Sequence, residues 1–143
     1  MTLYVVDANV VAKWFVPEPL SEEAVRLLGD EHELASPDLL WPELGSVLWK
    51  KARAGQLTGG EAAGIVQALD RCPITVFPSR LVLEGALEIA LSTGRSVYDA
   101  IYLALAVGLE CRLVTADERL VNALADGPLA SHVSWVGAPG QAV

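Results

Sequence analysis

Short runs of apolar and aromatic residues recur along the chain and predict five β-strands. The first, residues 3–6, carries no polar position, which is typical of a strand that is covered on both faces of its sheet. Four further runs have a similar length and a similar β-prone composition: 33–35, 74–77, 112–115 and 133–136. The pattern therefore favours a buried sheet built from short strands.

Amphipathic helices are predicted between these strands. Within residues 39–54, Leu40, Leu44 and Leu48 recur at the spacing of one helix face, and Gly55 follows as a C-terminal stop signal. Similar signals predict six further helices, one beginning near Val10 and the others at residues 21–29, 58–69, 79–91, 96–107 and 117–125.

Capping residues mark where several of these helices begin. Thr58 and Glu61 have the spacing of a capping box, in which each side chain bonds the backbone N–H of the other residue. Ser79 and Ser96 are predicted to cap the two helices that start with them, and Gly residues are predicted to close both.

The order of the predicted elements favours the α/β class. Strands that alternate with helices form a mostly parallel sheet with helices on both faces, which makes three layers. No internal repeat and no Ser-, Gly- or Pro-rich linker divides the sequence, so residues 1–143 are predicted to form one domain. In such folds the functional site lies at the carboxyl ends of the strands.

Composition excludes several classes of protein. With 52% hydrophobic and 20% charged residues, the chain does not have the composition of an intrinsically disordered protein. Its net charge of −8 argues against a general basic nucleic-acid-binding protein. Cys72 and Cys111 have neither disulfide-framework nor zinc-site spacing, and no uncharged apolar run approaches the ~20 residues of a membrane span. We therefore expect a soluble, reduced, cytoplasmic protein.

Four acidic residues lie at positions where helix capping or the helix dipole accounts only partly for their presence. Asp7 and Asp117 follow predicted strands, and each could also serve as the N-cap of the next helix. Glu43 lies in a first helical turn, where its charge would also suit the helix dipole. Asp99 is the only charge in an otherwise apolar helix and is predicted to be buried, although Ser96 and Asp99 also have capping-box spacing.

The predicted topology brings these four acids to one edge of the sheet. The carboxyl ends of parallel strands and the N-termini of the helices that follow them face the same edge. Four carboxylates in one crevice repel each other strongly unless divalent cations neutralise them. An all-oxygen ligand set without His or Cys favours Mg²⁺ or Mn²⁺, and acidic clusters of this kind serve mainly phosphate-ester chemistry.

The segments around these acids resemble a known family. They read VVDAN at 5–9, PEL at 42–44, SVYDAIYLA at 96–104 and LVTADERL at 113–120. They are similar to the PIN-domain ribonucleases, and specifically to the VapC-type toxins of bacterial toxin–antitoxin pairs. The resemblance spans residues 3 to about 136, and its specific feature is the order Asp, Glu, Asp, Asp with gaps of 36, 56 and 18 residues.

The resemblance implies a Mg²⁺- or Mn²⁺-dependent endoribonuclease with a PIN-like fold and a five-stranded sheet. Asp7 and Asp99 would be the direct metal ligands, and Glu43 and Asp117 would complete the catalytic quartet. Arg119 stands where some relatives carry a further acid, so either one or two metal ions would bind. The polar positions that would support the quartet by hydrogen bonds are Asn9, Ser96 and Thr115.

The resemblance also implies a structured RNA as substrate, often tRNA or ribosomal RNA, cut to leave a 3′-hydroxyl and a 5′-phosphate. Lys50 follows Glu43 by about 10 Å along the same helix and is a candidate for contacting a neighbouring phosphate. Lys13 and Arg95 are further candidates. The alternative for Lys50 is that its charge simply complements the C-terminus of its helix.

Protein partners are a further implication of the resemblance. Members of this family carry an apolar groove for an antitoxin helix, and usually form homodimers. Trp14, Phe15, Trp41 and Trp49 offer more aromatic surface than a small core needs, and Trp14 and Phe15 would suit such a groove. Packing in the core is the alternative for these side chains.

Two other functions stay open at this stage. A metal-dependent phosphatase of the haloacid-dehalogenase type would need a second Asp where Asn9 stands. A non-catalytic binding module that retains the fold would have no reason to hold four mutually repelling acids. The quartet also changes the meaning of the net charge, because bound cations would reverse the sign of the charge at the site itself.

Overall fold

In the computed structural model, residues 1–138 are described, and their five strands form one parallel sheet. The strands are β1 (Thr2–Val6), β2 (His32–Pro37), β3 (Ile74–Phe77), β4 (Arg112–Thr115) and β5 (Val133–Trp135). Their order across the sheet is β3-β2-β1-β4-β5, and each neighbouring pair is parallel. The chain therefore moves outward from β1 in one direction and then returns to add β4 and β5 on the other side. The crevice at such a reversal point is where open parallel sheets bind ligands.

Helices occupy the connections between the strands. They are α1 (Ala8–Lys13), α2 (Ser21–Arg26), α3 (Leu40–Arg53), α4 (Gly59–Ala68), α5 (Leu83–Thr93), α6 (Val97–Gly108) and α7 (Glu118–Leu124). All five predicted strands and all seven predicted helices are confirmed, with differences at their ends. None of the helices within residues 1–138 combines the length and the apolar character that a membrane span requires.

Most predicted end signals of the helices are confirmed. Thr58 and Glu61 form a complete capping box at the start of α4. The Ser96 hydroxyl caps α6 by accepting a hydrogen bond from the first turn. Gly55 and Gly94 follow α3 and α5 with φ angles of 79° and 74°, a conformation that glycine adopts without steric cost.

Two of the predicted helix ends are wrong. Ser79 does not cap α5, because it begins a 3₁₀ turn and its backbone N–H donates to the Asp38 carboxylate at 2.9 Å. The helix itself begins four residues later, at Leu83. Gly108 is not the residue that follows and terminates α6, because it is still helical. The residue with left-handed backbone after this helix is Glu110 (φ 55°).

The two faces of the sheet are covered by different helices. Tyr4, Val6 and Val114 pack with residues of α1 to α4, whereas Val5 and Leu113 pack with α6 and α7 on the opposite face. Alternate residues of one strand point to opposite faces, so both central strands are buried on both sides. α5 packs against α6 as an outer element. The three-layer α/β/α architecture predicted from the sequence is thus confirmed, and Cys72 and Cys111 are both free thiols within it.

Candidate active site

An open cleft of about 430 Å³ lies at the carboxyl ends of β1 and β4. Asp7 follows β1 directly, and Asp117 lies two residues after β4. Glu43 and Asp99 lie in the first turns of α3 and α6. The structure places all four predicted acids in the lining of this cleft, because the helix N-termini and the strand ends meet at the same edge of the sheet.

Asp7 both caps α1 and faces the cleft. Its Oδ1 accepts a hydrogen bond from the Val10 backbone N–H at 3.0 Å, and its Oδ2 accepts one from the Thr115 hydroxyl. Burial raises the pKa of Asp7 to about 6, and the charges of Glu43 and Asp117 add to this effect. The two hydrogen bonds act in the opposite direction. The capping interpretation and the functional one therefore apply to the same carboxylate.

Thr115 links two of the acids. Its side chain is fully buried, and its oxygen accepts a hydrogen bond from the Asp117 backbone N–H at 3.0 Å while its O–H donates to Asp7. Asp117 in turn caps α7, since its Oδ1 accepts from the Leu120 backbone N–H at 3.2 Å. One buried hydroxyl thus sets the spacing between the ends of β1 and β4, which is the supporting role expected for Thr115.

Glu43 is half-buried on the wall formed by α3. Burial raises the pKa of Glu43, and the charge of Asp99 raises it further. The neighbouring hydroxyl of Tyr102 has the opposite effect as a weak donor. Tyr102 lines the cleft and was not identified from the sequence. The sequence could have indicated Tyr102, because it follows Asp99 by three residues and so lies next to it on the surface of α6.

Asp99 is less buried than its apolar surroundings predicted. Its side chain is 36% exposed, whereas every residue from Ala100 to Ala106 is buried. The prediction of a buried Asp99 is wrong, because the residue lies in the first turn of α6, where the helix opens onto the cleft. Its carboxylate lies 3.5 Å from the Arg95 guanidinium. Arg95, a candidate for substrate contact, is therefore paired with an acid of the quartet.

The other two supporting residues act less directly than expected. Ser96 accepts a hydrogen bond from the Asp99 backbone N–H at 3.1 Å, so it positions the helix rather than a carboxylate. Ser96 is not part of the cleft lining, whereas Asn9 is. Asn9 is exposed, and its side chain makes no hydrogen bond within residues 1–138. Neither Ser96 nor Asn9 therefore donates a hydrogen bond to one of the four carboxylates, as Thr115 does.

Two lysines of α3 form a basic wall of the cleft, and only one of them was expected. Lys50 lines the cleft and is exposed, as its position on α3 predicted, and Lys51 lies beside it. Lys13 does not line the cleft. Its ammonium instead donates to Glu18 at 3.0 Å, and Lys51 donates to the other oxygen of the same carboxylate. The structure therefore does not support Lys13 as a substrate contact, since an ion pair outside the cleft holds it.

The Glu18 carboxylate ties the segment between α1 and α2 to both helices that carry these lysines. Burial alone would raise the pKa of Glu18, but the hydrogen bonds from Lys51 and Lys13 outweigh it and lower the pKa. All three side chains are at most one-fifth exposed. The group carries a net charge of about +1 next to the acidic floor, which leaves Lys50 as the exposed cation of the cleft wall.

The donor set of the cleft fits a hard divalent cation in chemical terms. Its four carboxylates are all-oxygen ligands, which Mg²⁺ and Mn²⁺ prefer. As they stand, however, no three His, Cys, Asp or Glu side chains within residues 1–138 converge closely enough to hold an ion. Three of the acids are turned to other partners: Asp7 to Thr115, Asp117 to Leu120 and Asp99 to Arg95. Mutual repulsion accounts for this separation, and a bound cation would remove it.

Of the four aromatic residues noted above, one pair is partly buried and the other is exposed. Trp14 and Phe15 pack against the core under α1 to α4, and the Trp14 indole N–H donates to the Ala24 carbonyl at 2.8 Å. Core packing is therefore the role the structure shows for this pair. Trp41 and Trp49 are exposed on α3, at 38% and 56%, and Trp41 borders a groove of about 350 Å³ between α3 and α4.

Comparison with known proteins identifies relatives of this chain. Ribonuclease VapC3 of Pyrobaculum aerophilum is 39% identical over 120 residues, which are 82% of this chain and 92% of that protein. The crystal structure of PAE2754 from Pyrobaculum aerophilum superposes with a TM-score of 0.64 at 25% identity, covering 94% of this chain and 91% of the other.

A second solved structure shares the fold at lower identity. A toxin-antitoxin complex from Klebsiella pneumoniae contains a chain that superposes with a TM-score of 0.60 at 17% identity, covering 94% of this chain and 96% of that one. The profile of the PIN domain matches residues 4–125, a range that contains all four acids of the cleft. The chain therefore belongs to the PIN-domain family, among the relatives of the VapC ribonucleases.

Proposed function

We propose that the protein is a Mg²⁺- or Mn²⁺-dependent endoribonuclease that hydrolyses phosphodiester bonds of RNA and acts as the toxin of a toxin–antitoxin pair. The observation that carries this proposal is the meeting of four carboxylates around one cleft at the reversal point of a PIN-type sheet. The relative named as a ribonuclease supports RNA as the substrate. Residues 1–143 would form one catalytic domain, and the cytoplasm would supply its substrate.

Asp7 and Asp99 are the proposed direct ligands of the cation, and Glu43 and Asp117 complete its surroundings. A bound divalent cation supplies positive charge that offsets the phosphate, and it activates water for hydrolysis. The residues of the chain set the geometry for this chemistry. Thr115 holds Asp7 against the end of β4, and capping of α1 and α7 holds one oxygen each of Asp7 and Asp117.

Lys50 is the proposed contact for a phosphate next to the one that is cut. It is exposed, lines the cleft and lies about 10 Å along α3 from Glu43. Consecutive phosphates of a nucleic acid strand are separated by a distance of the same order. The acidic floor would thus hold the cation while the basic wall orients the RNA backbone, and binding should weaken as salt increases.

The proposal is tested by incubating the purified protein with total RNA and Mn²⁺ and mapping the new 5′ ends. Wild type should produce discrete 5′-phosphate ends, and Glu43→Gln should produce at least ~10²-fold fewer, because the variant lacks one acid of the site. Asp126→Asn is the matched control, since Asp126 is exposed and outside the cleft, and it should cut like wild type.

Two outcomes would contradict the proposal. Equal cutting by Glu43→Gln and wild type would show that the cleft acids are not the catalytic group. Equal cutting with and without EDTA would show that no divalent cation is needed. A protein that cuts nothing under any condition would favour the remaining alternative, a non-catalytic binding module with the same fold.

We also propose two protein partners, an antitoxin and a second copy of this chain. The Klebsiella pneumoniae structure of the same fold is a toxin-antitoxin complex. Two exposed apolar surfaces are available within the described residues. One lies on α3 and α4 and includes Trp41, Trp49 and Val66, and the other is a stripe on α5 formed by Leu83, Leu87 and Leu91. Surfaces of this kind mark interaction sites.

The partner proposal is tested by measuring molar mass in solution. Light scattering should give twice the 15.2 kDa of one chain, and Leu87→Glu should lower the mass if the α5 stripe is the interface. A monomer mass for wild type at high concentration would rule out the homodimer. The antitoxin proposal would fail if expression with the neighbouring genes yields no co-purifying small protein.

A further inference from the structure

Tyr102 carries a buried hydroxyl that lies beside the Glu43 carboxylate without forming a hydrogen bond of normal geometry. The residue is only 3% exposed, and within residues 1–138 its hydroxyl makes no hydrogen bond of normal geometry. Buried hydroxyl groups are nearly always hydrogen-bonded, because an unpaired one lowers the stability of the fold. A phenylalanine would fill the same space without this cost. The hydroxyl therefore calls for an explanation beyond packing.

The surroundings of Tyr102 indicate what the hydroxyl faces. Tyr102 lines the acidic cleft, and its hydroxyl lies beside the Glu43 carboxylate, with Asp7 and Asp99 as the other charges that act on it. Burial raises the pKa of Tyr102, and these three carboxylates raise it further. The group is therefore a protonated donor at neutral pH, and the acceptors it faces are carboxylate oxygens.

The position of the phenol is rigid, whereas that of Glu43 is not. Tyr102 is 3% exposed and lies on α6 among buried residues, so its ring is held by packing. The Glu43 side chain is flexible and half-buried. Within the described residues its carboxylate makes no hydrogen bond of normal geometry. A small rotation of Glu43 therefore completes or breaks its contact with the hydroxyl, while Tyr102 stays in place.

We propose that Tyr102 is a positioning residue for Glu43, whose hydroxyl donates to one carboxylate oxygen when the other oxygen turns toward a divalent cation. This inference rests on the proposed cation-dependent function of the same cleft. A carboxylate has two oxygens, so one can be held by the rigid donor while the other serves the cation.

The inference is tested with Tyr102→Phe, which removes only the hydroxyl. Its matched control is Tyr98→Phe, which removes a hydroxyl from the same helix at a side chain that is 62% exposed and outside the cleft lining. In EDTA, Tyr102→Phe should melt at the same temperature as wild type or higher. Its affinity for Mn²⁺, measured by titration calorimetry without RNA, should fall about 10-fold, as is typical when a partner that orients a ligand is lost. Tyr98→Phe should bind Mn²⁺ like wild type.

A double variant separates positioning from a general structural effect. If the hydroxyl acts through Glu43, adding Tyr102→Phe to Glu43→Ala, which removes the acceptor altogether, should leave the Mn²⁺ affinity of Glu43→Ala unchanged. An additive loss would overturn the inference, even if the single variant were less stable than wild type. Wild-type affinity in Tyr102→Phe would also overturn it while leaving the proposed function intact. Absence of Mn²⁺ binding by wild type would overturn the proposed cation site, and this inference with it.

Discussion

Asp7→Asn is expected to reduce RNA cleavage by about 10³-fold and at the same time to stabilise the cation-free protein near neutral pH. The loss of activity follows from removing a proposed cation ligand, since a bound metal ion contributes several kcal/mol to the transition state. The gain in stability follows from the surroundings of Asp7. Its charge is buried and lies near the charges of Glu43 and Asp117.

The sign of the stability effect follows from the pKa of Asp7. Burial raises this pKa from 3.8 to about 6, so the folded state binds more protons than the unfolded state between these two values. The contribution of Asp7 to stability is therefore most favourable below pH 3.8 and declines as the pH rises through about 6. Two pKa units correspond to at most ~3 kcal/mol at neutral pH.

Asn at this position keeps the size of the side chain and an oxygen that can accept from the Val10 N–H, but it disturbs the hydrogen bond from Thr115. We expect a net gain of ~1–2 kcal/mol, or about 3–6 °C in Tm. The measurement is thermal unfolding in EDTA at pH 7.5 and at pH 4, with Asp126→Asn as control. The gain should be largely lost at pH 4, where Asp7 is protonated in the folded state and the pH is close to its unfolded pKa of 3.8. A variant that is less stable than wild type at pH 7.5 would refute this account of the site.

Millimolar Mn²⁺ is expected to raise the Tm of wild type by several degrees, and Asp99→Asn is expected to remove most of this shift. A ligand present at about 100 times its Kd stabilises the native state by ~2.7 kcal/mol, which is about 8 °C for a chain of this size. The structure explains this stabilisation, because a cation would offset the burial, and the smaller repulsion between the acids, that raise the pKa of Asp7 and of Glu43.

The Mn²⁺ shift is also expected to depend on pH and on the ion pair of Asp99. Protons compete with the cation at Asp7, whose pKa is about 6, so the Mn²⁺ shift should be smaller at pH 5 than at pH 7.5. Arg95→Gln should keep the shift or enlarge it, since it releases the Asp99 carboxylate from its ion pair. An equal Mn²⁺ shift in Asp99→Asn and wild type would place the cation elsewhere.

Local patterns were sufficient for the fold and for the four acids of the cleft. The apolar runs predicted the strands because a strand buried on both faces must be apolar at consecutive positions, as β1 is. Asp7 and Asp117 could be placed at one edge of the sheet because parallel strands end on the same side. The capping box of Thr58 and Glu61 was predictable because both partners lie within one turn.

Two of the errors concern side chains in contacts that join separate elements of the fold. Lys13 was expected to contact the substrate, but Glu18 and Lys51 engage it in an ion-pair group that joins α1, α3 and the segment after α1. Ser79 was expected to cap a helix, but it bonds Asp38, 41 residues away. A one-dimensional pattern contains no information about such encounters.

The sequence by itself determined that this protein is an α/β protein with four carboxylates at one edge of its sheet, because periodicity and element order are local properties. Only the tertiary structure decided which distant groups meet them: Thr115 holds Asp7 across 108 positions, and Tyr102 of α6 lies beside Glu43 of α3. The helix caps of Asp7 and Asp117 and the pairing of Asp99 with Arg95 are local contacts. The physical reason is that a hydrogen bond or ion pair requires a fit of a few ångströms, which arises only when helices and strands from distant parts of the chain pack together.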